Sequence, residues 1–462
     1  MKTFRDPDGF VFELEDRVYR AVHPAAWKTL SEFLDSPIGK EFLRAGKLVR
    51  TWQTCVPSNA GLDLTGREIL EHEKVFPSYP SEWPSEMLYA SAALTLDLAE
   101  ASLEAGFGLK DATPFNVLFR GPQPVFVDML SFERRDPRDP IWLPYAQFVR
   151  TFLLPLAAER LGIGSPRWLY LACRDGMAPE ELYSGVPPWR RLLPPYFSLV
   201  TMPAWWKSRA EGREDLYRPR STSDPDRAGF TLRMLFRGLR RQLGRLKPRR
   251  VRSHWSAYQE NREHYTEAQM AVKKDFVHRI LSAARPSAVL DVGANTGEFS
   301  AIAARLGAET VAIDSDAPVV AENWRRAQAE RLAILPLVVD FSRPTPAVGW
   351  RNGECASFLS RASGRFDVVM MLAVVHHLVA TERIPLEEIL AAARELTRDL
   401  VVLEYVEPGD PMFRRLARGR DALYQHCTRD YFEALCARHF QVIHRQEIAG
   451  AKRTLYALRR LA

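Results

Sequence analysis

Ser287-Ala288-Val289-Leu290-Asp291-Val292 runs directly into Gly293-Ala294-Asn295-Thr296-Gly297, and from Glu298 a helical pattern takes over. An apolar run of strand length, a glycine-bearing turn and a helix together read as the opening unit of a layered α/β sheet. The two glycines give the turn access to positive φ and let a ligand approach the backbone closely. Asn295 is one of the few other residue types that tolerate the left-handed region. In a doubly wound sheet such a turn lies outside the carboxyl ends of the strands, where ligands bind.

Outward from that turn the alternation persists. Thr310 to Ile313, Leu335 to Val339, Asp367 to Ala373 and Leu400 to Tyr405 are further apolar runs separated by helical stretches, which predicts a mostly parallel sheet covered on both faces. Gln441 to Glu447 and Thr454 to Leu458 follow with only a short connection, as an antiparallel closing pair would. Residues 253–462 are therefore expected to form a doubly wound, seven-stranded, Rossmann-like α/β domain.

The turn is not a dinucleotide fingerprint, because G-x-G-x-x-G counted from Gly293 needs glycines where Asn295 and Glu298 stand. Asp291 and Glu298 flank the turn and would repel a pyrophosphate seeking a helix N-terminus. S-adenosylmethionine carries a sulfonium and an α-ammonium and no phosphate, so the same acids attract it. Asp314, closing the second strand, stands where an acid takes ribose hydroxyls. Asp340 closes the third, beside Phe341, whose ring can stack on a flat base.

The set D-x-G-x-N-x-G, Asp314, Asp340 and the later Phe366-Asp367-Val368-Val369 through His376-His377-Leu378 resembles the class I S-adenosylmethionine-dependent methyltransferases. The resemblance implies that Asp291, Gly293, Ala294, Asn295 and Gly297 form the loop under the methionine part of the cofactor. It further implies that Asp314 binds ribose, that Asp340 and Phe341 lie near adenine, and that Ala373 is among the cofactor-binding residues. The whole chain is similar to the longer bacterial nodulation-type methyltransferases, through Tyr79-Pro80-Ser81-Glu82-Trp83-Pro84, Leu109-Lys110-Asp111-Ala112-Thr113-Pro114-Phe115-Asn116, Gly349-Trp350 and Ala373-Val374-Val375-His376-His377-Leu378.

Methyl transfer is an in-line displacement in which the protein aligns acceptor and sulfonium, and a hydroxyl acceptor must also lose its proton. Histidine is the natural base at neutral pH, which makes His376 and His377, after the fourth strand, the candidate catalytic residues. Glu404 and Glu407, at the end of the fifth strand, are secondary candidates for acceptor binding. Nucleic-acid amino methyltransferases of this fold carry an N-P-P-Y-like turn where this chain has Ala373-Val374-Val375-His376, which argues against a base amine and against nucleic acid as partner. The expected acceptor is a hydroxyl or carboxyl on a small molecule, a glycan or a lipid-linked intermediate.

The first 206 residues read as a separate α+β domain: strands at Phe10 to Glu15, Arg17 to Ala21 and near Lys47 to Thr54, and a long helix from Ser85 to Gly106. Short strands follow at Val117 to Phe119 and Val125 to Val127. Asp111, Asn116 and Asp128 have the order of the D-x-x-x-x-N and following Asp of kinases and aminoglycoside-phosphotransferase-like proteins, which this segment distantly resembles. The resemblance implies a base and two metal ligands there. Leu109-Lys110 replaces the His-Arg that precedes that Asp, Asp128 is followed by Met-Leu, and no glycine-rich phosphate loop precedes them. An alternative function is thus a bifunctional protein with phosphotransfer in this domain, and a third is a non-catalytic docking scaffold.

Between the domains, residues 207–252 read as a linker with a basic amphipathic helix from Phe230 to Leu246. Its Leu232, Leu235, Phe236, Leu239 and Leu243 lie at helical spacing, and no acid stands between Arg233 and Arg252. Such a helix docks on one domain, meets an anionic membrane surface or binds an acidic partner. Of 462 residues, 46% are hydrophobic and 26% charged, with a net charge of +7, the balance of a folded globular protein. The five cysteines contain no C-x-x-C pair, so neither a disulfide framework nor a metal site is expected. No apolar run of signal or spanning length is present, and the expected location is cytoplasmic, with peripheral contact at the inner membrane face through Arg233–Arg252.

Overall fold

The structure, a computed structural model, describes residues 3–55, 61–210, 224–251 and 265–461. Arg252 and most of the expected polar linker, 211–223, lie outside the described residues. The chain divides into two compact units, one of Met1–Phe119, Pro124–Arg249 and Gly349–Glu354, the other of Arg120–Gln123, Arg250–Val348 and Cys355–Ala462.

The first unit opens on a four-stranded antiparallel sheet, built from β1 (Gly9–Leu14), β2 (Arg17–Val22), β3 (Thr51–Gln53) and β4 (Glu68–His72) in the order β1-β2-β4-β3. Glu15 and Asp16, both at positive φ, form the two-residue turn between β1 and β2, the backbone a twisted hairpin requires. Helices α1 (Pro24–Asp35) and α2 (Pro37–Arg44) follow, and Phe33 stacks on Phe132 at 3.9 Å between centroids. Short strands β5 (Phe107–Leu109), β6 (Val117–Arg120), β7 (Gln123–Phe126) and β8 (Phe132–Arg134), paired β5-β8 and β6-β7, follow the predicted long helix, α3 (Ser85–Glu104). Across it packs α4 (Pro225–Arg245), through Arg240 to Asp97 at 2.8 Å and to Glu100 at 2.7 Å.

Helix α4 settles where its apolar stripe goes. Leu232, Phe236, Leu239 and Leu243 are buried in the first unit, with Phe236 4.9 Å from the Trp142 ring. The stripe that could have entered a lipid surface is thus part of a protein core. Arg233, Arg237, Arg241 and Arg245 remain exposed.

In the second unit a seven-stranded sheet runs β11-β10-β9-β12-β13-β15-β14, with β9 (Ala288–Val292), β10 (Glu309–Asp314), β11 (Ile334–Val338), β12 (Phe366–Met371) and β13 (Thr397–Val406) parallel. β14 (Phe440–Glu447) and β15 (Arg453–Arg460) close it antiparallel, as expected from the short connection. Val289, Leu290 and Val292 are all buried, so β9 is covered on both faces. Helix α5 (Glu267–Ala284) lays Phe276, Val277, Ile280 and Leu281 into one cluster with Val289, Met370, Val402 and Leu455. Strand order reverses between β9 and β12, which puts the ligand crevice at their carboxyl ends. β12 stops two residues before the expected Ala373, because Ala373 takes φ of 58° and cannot continue a strand. Among the described residues no helix is long and apolar enough to cross a membrane.

Candidate active site

The turn after β9 is closed by β10. The amides of Gly293 and Ala294 both donate to the Ile313 carbonyl, at 2.9 and 3.0 Å. Gly293, Asn295 and Gly297 have φ of 72°, 50° and 80°, the left-handed conformations their types permit. Asn295 is held there from two sides: its amide donates to Asp314 Oδ2 at 2.9 Å, and its Oδ1 accepts from the Thr296 amide at 2.7 Å. Gly297 caps α6 (Glu298–Arg305), and a Cβ on it would lie 2.2 Å from Asn323 Oδ1. No side chain fits at that position without displacing the Asn323 side chain, which α7 (Ala317–Glu330) presents.

The acids gather at the same end of the sheet. Asp291 is almost fully buried and accepts from Ser300 Oγ at 2.6 Å. Burial pushes its carboxyl up to about 6; the Ser300 bond and the Lys273 charge pull it down, and Asp314 pushes it up again. Asp314 accepts from Asn295 and, on its other oxygen, from the Asp316 amide at 3.0 Å, and burial raises it above the usual carboxylate range against those bonds. Asp340 accepts from the Ser342 amide and hydroxyl at 2.9 and 2.6 Å. Each therefore has a fixed orientation and oxygen lone pairs to spare.

A cavity of about 410 Å³ opens between these groups, within the size range of small-molecule sites. Asp291, Gly293, Ala294, Asn295, Asp314, Asp340, Phe341, Ala373 and His377 all line it. The acids Asp291, Asp314 and Asp340 and the Phe341 ring on its wall fit a cationic nucleoside such as S-adenosylmethionine. Two of the expected site residues do not line it. Gly297 acts one step removed, by letting α6 start against Asn323. His376 is buried, with its ring 4.3 Å from that of His377, so the two histidines part company. Burial and the charge of Arg453 lower His377 to about 4. Ala373, in its left-handed conformation, holds about 1 kcal/mol of strain; it turns the chain so that α8 (Val375–Ala380) starts beside the cavity.

The raised Asp291 carboxyl has a testable consequence. A cation bound beside it favours the ionised form, so cofactor binding near pH 6 releases protons, and affinity falls as pH drops through about 6 and Asp291 becomes neutral. Calorimetry across that range should show the fall, and Asp291→Asn should abolish the step. An affinity unchanged from about pH 8 to about pH 5 would refute it.

Sequence reasoning missed Tyr265 and Lys273, which also line the cavity. The ammonium of Lys273 lies 2.6 Å from Glu404, with both side chains out of solvent. Tyr265 donates to Glu404 and accepts from Arg453, and Arg453 grips Asp410 with two bonds, at 2.9 and 3.1 Å. Burial pushes Glu404 up, but Lys273 and Arg453 together outweigh it and hold the carboxyl low. Glu404 is thus committed to this network, and Glu407 to Arg429 at 3.0 Å; neither lines the cavity as an acceptor ligand would. The available signal was a lysine on the apolar stripe of α5, four residues before Val277.

In the first unit, Asn116 and Asp128 meet through Ser131, which donates to Asp128 at 2.6 Å and accepts from Asn116 at 3.3 Å. Asp111 accepts from Gln147 at 3.2 Å. Arg20 pairs with Asp128 at 3.2 Å and also donates to the Val127 carbonyl. Lys47 faces Asp97 at 4.0 Å. Among the described residues no group of three or more His, Cys, Asp or Glu could hold a metal ion.

Comparison with known proteins agrees with the second unit's geometry. A model of a methyltransferase domain matches residues 258–453. The chain is 30% identical over 472 residues to the nodulation protein NoeA of Rhizobium meliloti (strain 1021), covering 99% of this chain and 95% of that protein. Among solved structures, magnesium protoporphyrin IX methyltransferase of Synechocystis PCC 6803 with bound S-adenosylhomocysteine is similar at 18% identity and a TM-score of 0.31, over 42% of this chain and 84% of that one. The N-methyltransferase NodS of Bradyrhizobium japonicum WM9 is similar at 13% identity and a TM-score of 0.33, over 42% and 98%. The match to NoeA spans both units and the domain match falls on the cavity just described, so the chain belongs to the family of the nodulation protein NoeA and is an S-adenosylmethionine-dependent methyltransferase.

Proposed function

We propose that this methyltransferase methylates an oxygen, a hydroxyl or carboxyl on a small-molecule, glycan or lipid-linked acceptor, with His377 as the base when the acceptor is a hydroxyl. The observation that carries the reading is the place of the His377 imidazole on the wall of the cavity that Asp291, Asn295 and Asp314 also line. Bound in the cavity, S-adenosylmethionine supplies an electrophilic methyl group whose departing electron pair stays on sulfur. Gly293 and Asn295 let the backbone approach it, Asp314 and Asp340 fix its nucleoside end, and His377 takes the proton a hydroxyl acceptor releases. With its value lowered to about 4, the imidazole is neutral throughout the near-neutral range, so its lone pair is available there, while the same burial and the Arg453 charge weaken it as a base. A carboxylate acceptor needs no base. The Ala373-Val374-Val375-His376 turn offers no amide side chain to cradle an amine.

The exposed row Arg233, Arg237, Arg241 and Arg245 is the described part of the basic segment that would face anionic headgroups and bring a lipid-linked acceptor near. For the first unit we infer acceptor or partner binding, with Asp128 already paired to Arg20.

Untargeted mass spectrometry of metabolites and lipids, comparing a host carrying the wild-type chain with one carrying Asp314→Ala, tests the reading. The expected result is a species lost in the variant and heavier than its precursor by one methylene, with the methyl on oxygen. If the methyl is an ether, His377→Ala lowers turnover about 100-fold or more and leaves cofactor affinity unchanged. A methyl on nitrogen, or full hydroxyl methylation by His377→Ala, would overturn it.

A further inference from the structure

In the first unit, the segment from Leu182 to Ala210 keeps large apolar side chains outside the core. Trp189, Leu192 and Trp206 are each about two-thirds exposed, and Leu193 and Trp205 about half. They are held together. Arg191 lies 4.2 Å over the Tyr183 ring, Trp205 donates to the Tyr183 hydroxyl at 3.3 Å, and Thr201 donates to the Arg191 carbonyl at 2.7 Å. Arg190 in turn covers Trp189 at 4.7 Å. Folded chains rarely leave so many large apolar groups in water over one short segment without a use.

What covers them is indicated by the charges among them. Leu182 to Ala210 contains Arg190, Arg191, Lys207 and Arg209 and no acidic residue. Tryptophans with an apolar body and a polar N–H, interleaved with arginines whose stems are apolar and whose heads are cationic, match the two layers of a bilayer interface. The acids nearest in sequence among the described residues, Glu180 and Glu181, stand just before Leu182, so inside the segment the cations have no carboxylate beside them. The same segment is tied to α4, since Gln242 donates to Ser198 at 3.2 Å.

We propose that this face is a membrane-docking surface for an anionic bilayer. Trp189, Leu192, Leu193, Trp205 and Trp206 enter the headgroup layer, and the arginines pair with lipid phosphates. It differs from insertion of α4, whose apolar stripe is buried, and it stands whether or not the acceptor is lipid-linked.

The test uses the full chain, with vesicles of phosphatidylcholine alone and of phosphatidylcholine with phosphatidylglycerol. The wild-type chain should sediment with the anionic vesicles and much less with the neutral ones, and brominated lipid should quench part of its tryptophan fluorescence. Trp189→Ser, Leu192→Ser and Trp206→Ser combined should lower anionic-vesicle binding about 10-fold or more and remove most of that quenching. Because all three side chains are exposed, the circular dichroism spectrum and cofactor affinity should be unchanged. The proposal fails if the wild-type chain binds neither vesicle or if the triple variant binds undiminished. It also fails if the triple substitution instead abolishes a concentration-dependent self-association of the wild-type chain.

Discussion

Asp314→Ala should weaken binding of S-adenosylmethionine and of S-adenosylhomocysteine by about 100-fold or more. The carboxylate stands at the end of β10 with one oxygen toward Asn295 and the other toward Asp316, which leaves lone pairs for two ribose hydroxyls. Hydrogen bonds to a charged group contribute about 1.5–3 kcal/mol each, and each 1.4 kcal/mol is about tenfold in affinity. The alanine also frees the Asn295 amide and loosens the turn, so the loss should exceed the ribose contribution alone. Asp314→Asn, which keeps one acceptor oxygen, should fall between alanine and wild type. Calorimetry checks the order, and equal affinities for the three proteins would refute the assignment.

The second large effect is on stability. Lys273, Arg453, Glu404 and Asp410 form a buried set of two cations and two anions, each side chain no more than 4% exposed. Removing one cation leaves a carboxylate uncompensated out of water, a loss of about 3–5 kcal/mol. Arg453→Met should therefore lower the melting temperature by about 10 °C, at roughly 2–4 °C per kcal/mol for a domain of this size. Replacing Asp410 by Leu in the same chain should recover part of the loss, because a pair exchanged for apolar groups costs less than a broken one. Glu404 is held below its ordinary value, so its share of stability is present above the usual carboxylate range and disappears as pH falls through its lowered value. Scanning calorimetry reads both; a shift of less than about 2 °C for Arg453→Met would show that the network contributes little.

The parts of this protein written locally were legible. Gly293, Asn295 and Gly297 announce their backbone conformations by residue type, and Asp291, Asp314 and Asp340 announce their places by lying at the ends of successive strands. What depended on distant partners was not. Periodicity identified the amphipathic helix α4, but its apolar stripe looks the same whether it meets Trp142 or a lipid. Asp128 has the spacing of a metal ligand, and the arginine that pairs with it lies 108 residues away on β2. Neighbouring histidines looked equivalent in the sequence. Only the left-handed turn at Ala373 and the start of α8 decide that His377 faces the cavity and His376 does not.

The central claim is that the cavity at the ends of β9, β10 and β11 holds S-adenosylmethionine and rejects dinucleotides. Titration of the wild-type chain with S-adenosylhomocysteine, and in parallel with NAD, tests it most directly. The account predicts saturable binding of one S-adenosylhomocysteine per chain, on the order of micromolar or about 8 kcal/mol, with no heat from NAD. Binding of NAD, or no binding of S-adenosylhomocysteine to a chain that melts cooperatively, would contradict it.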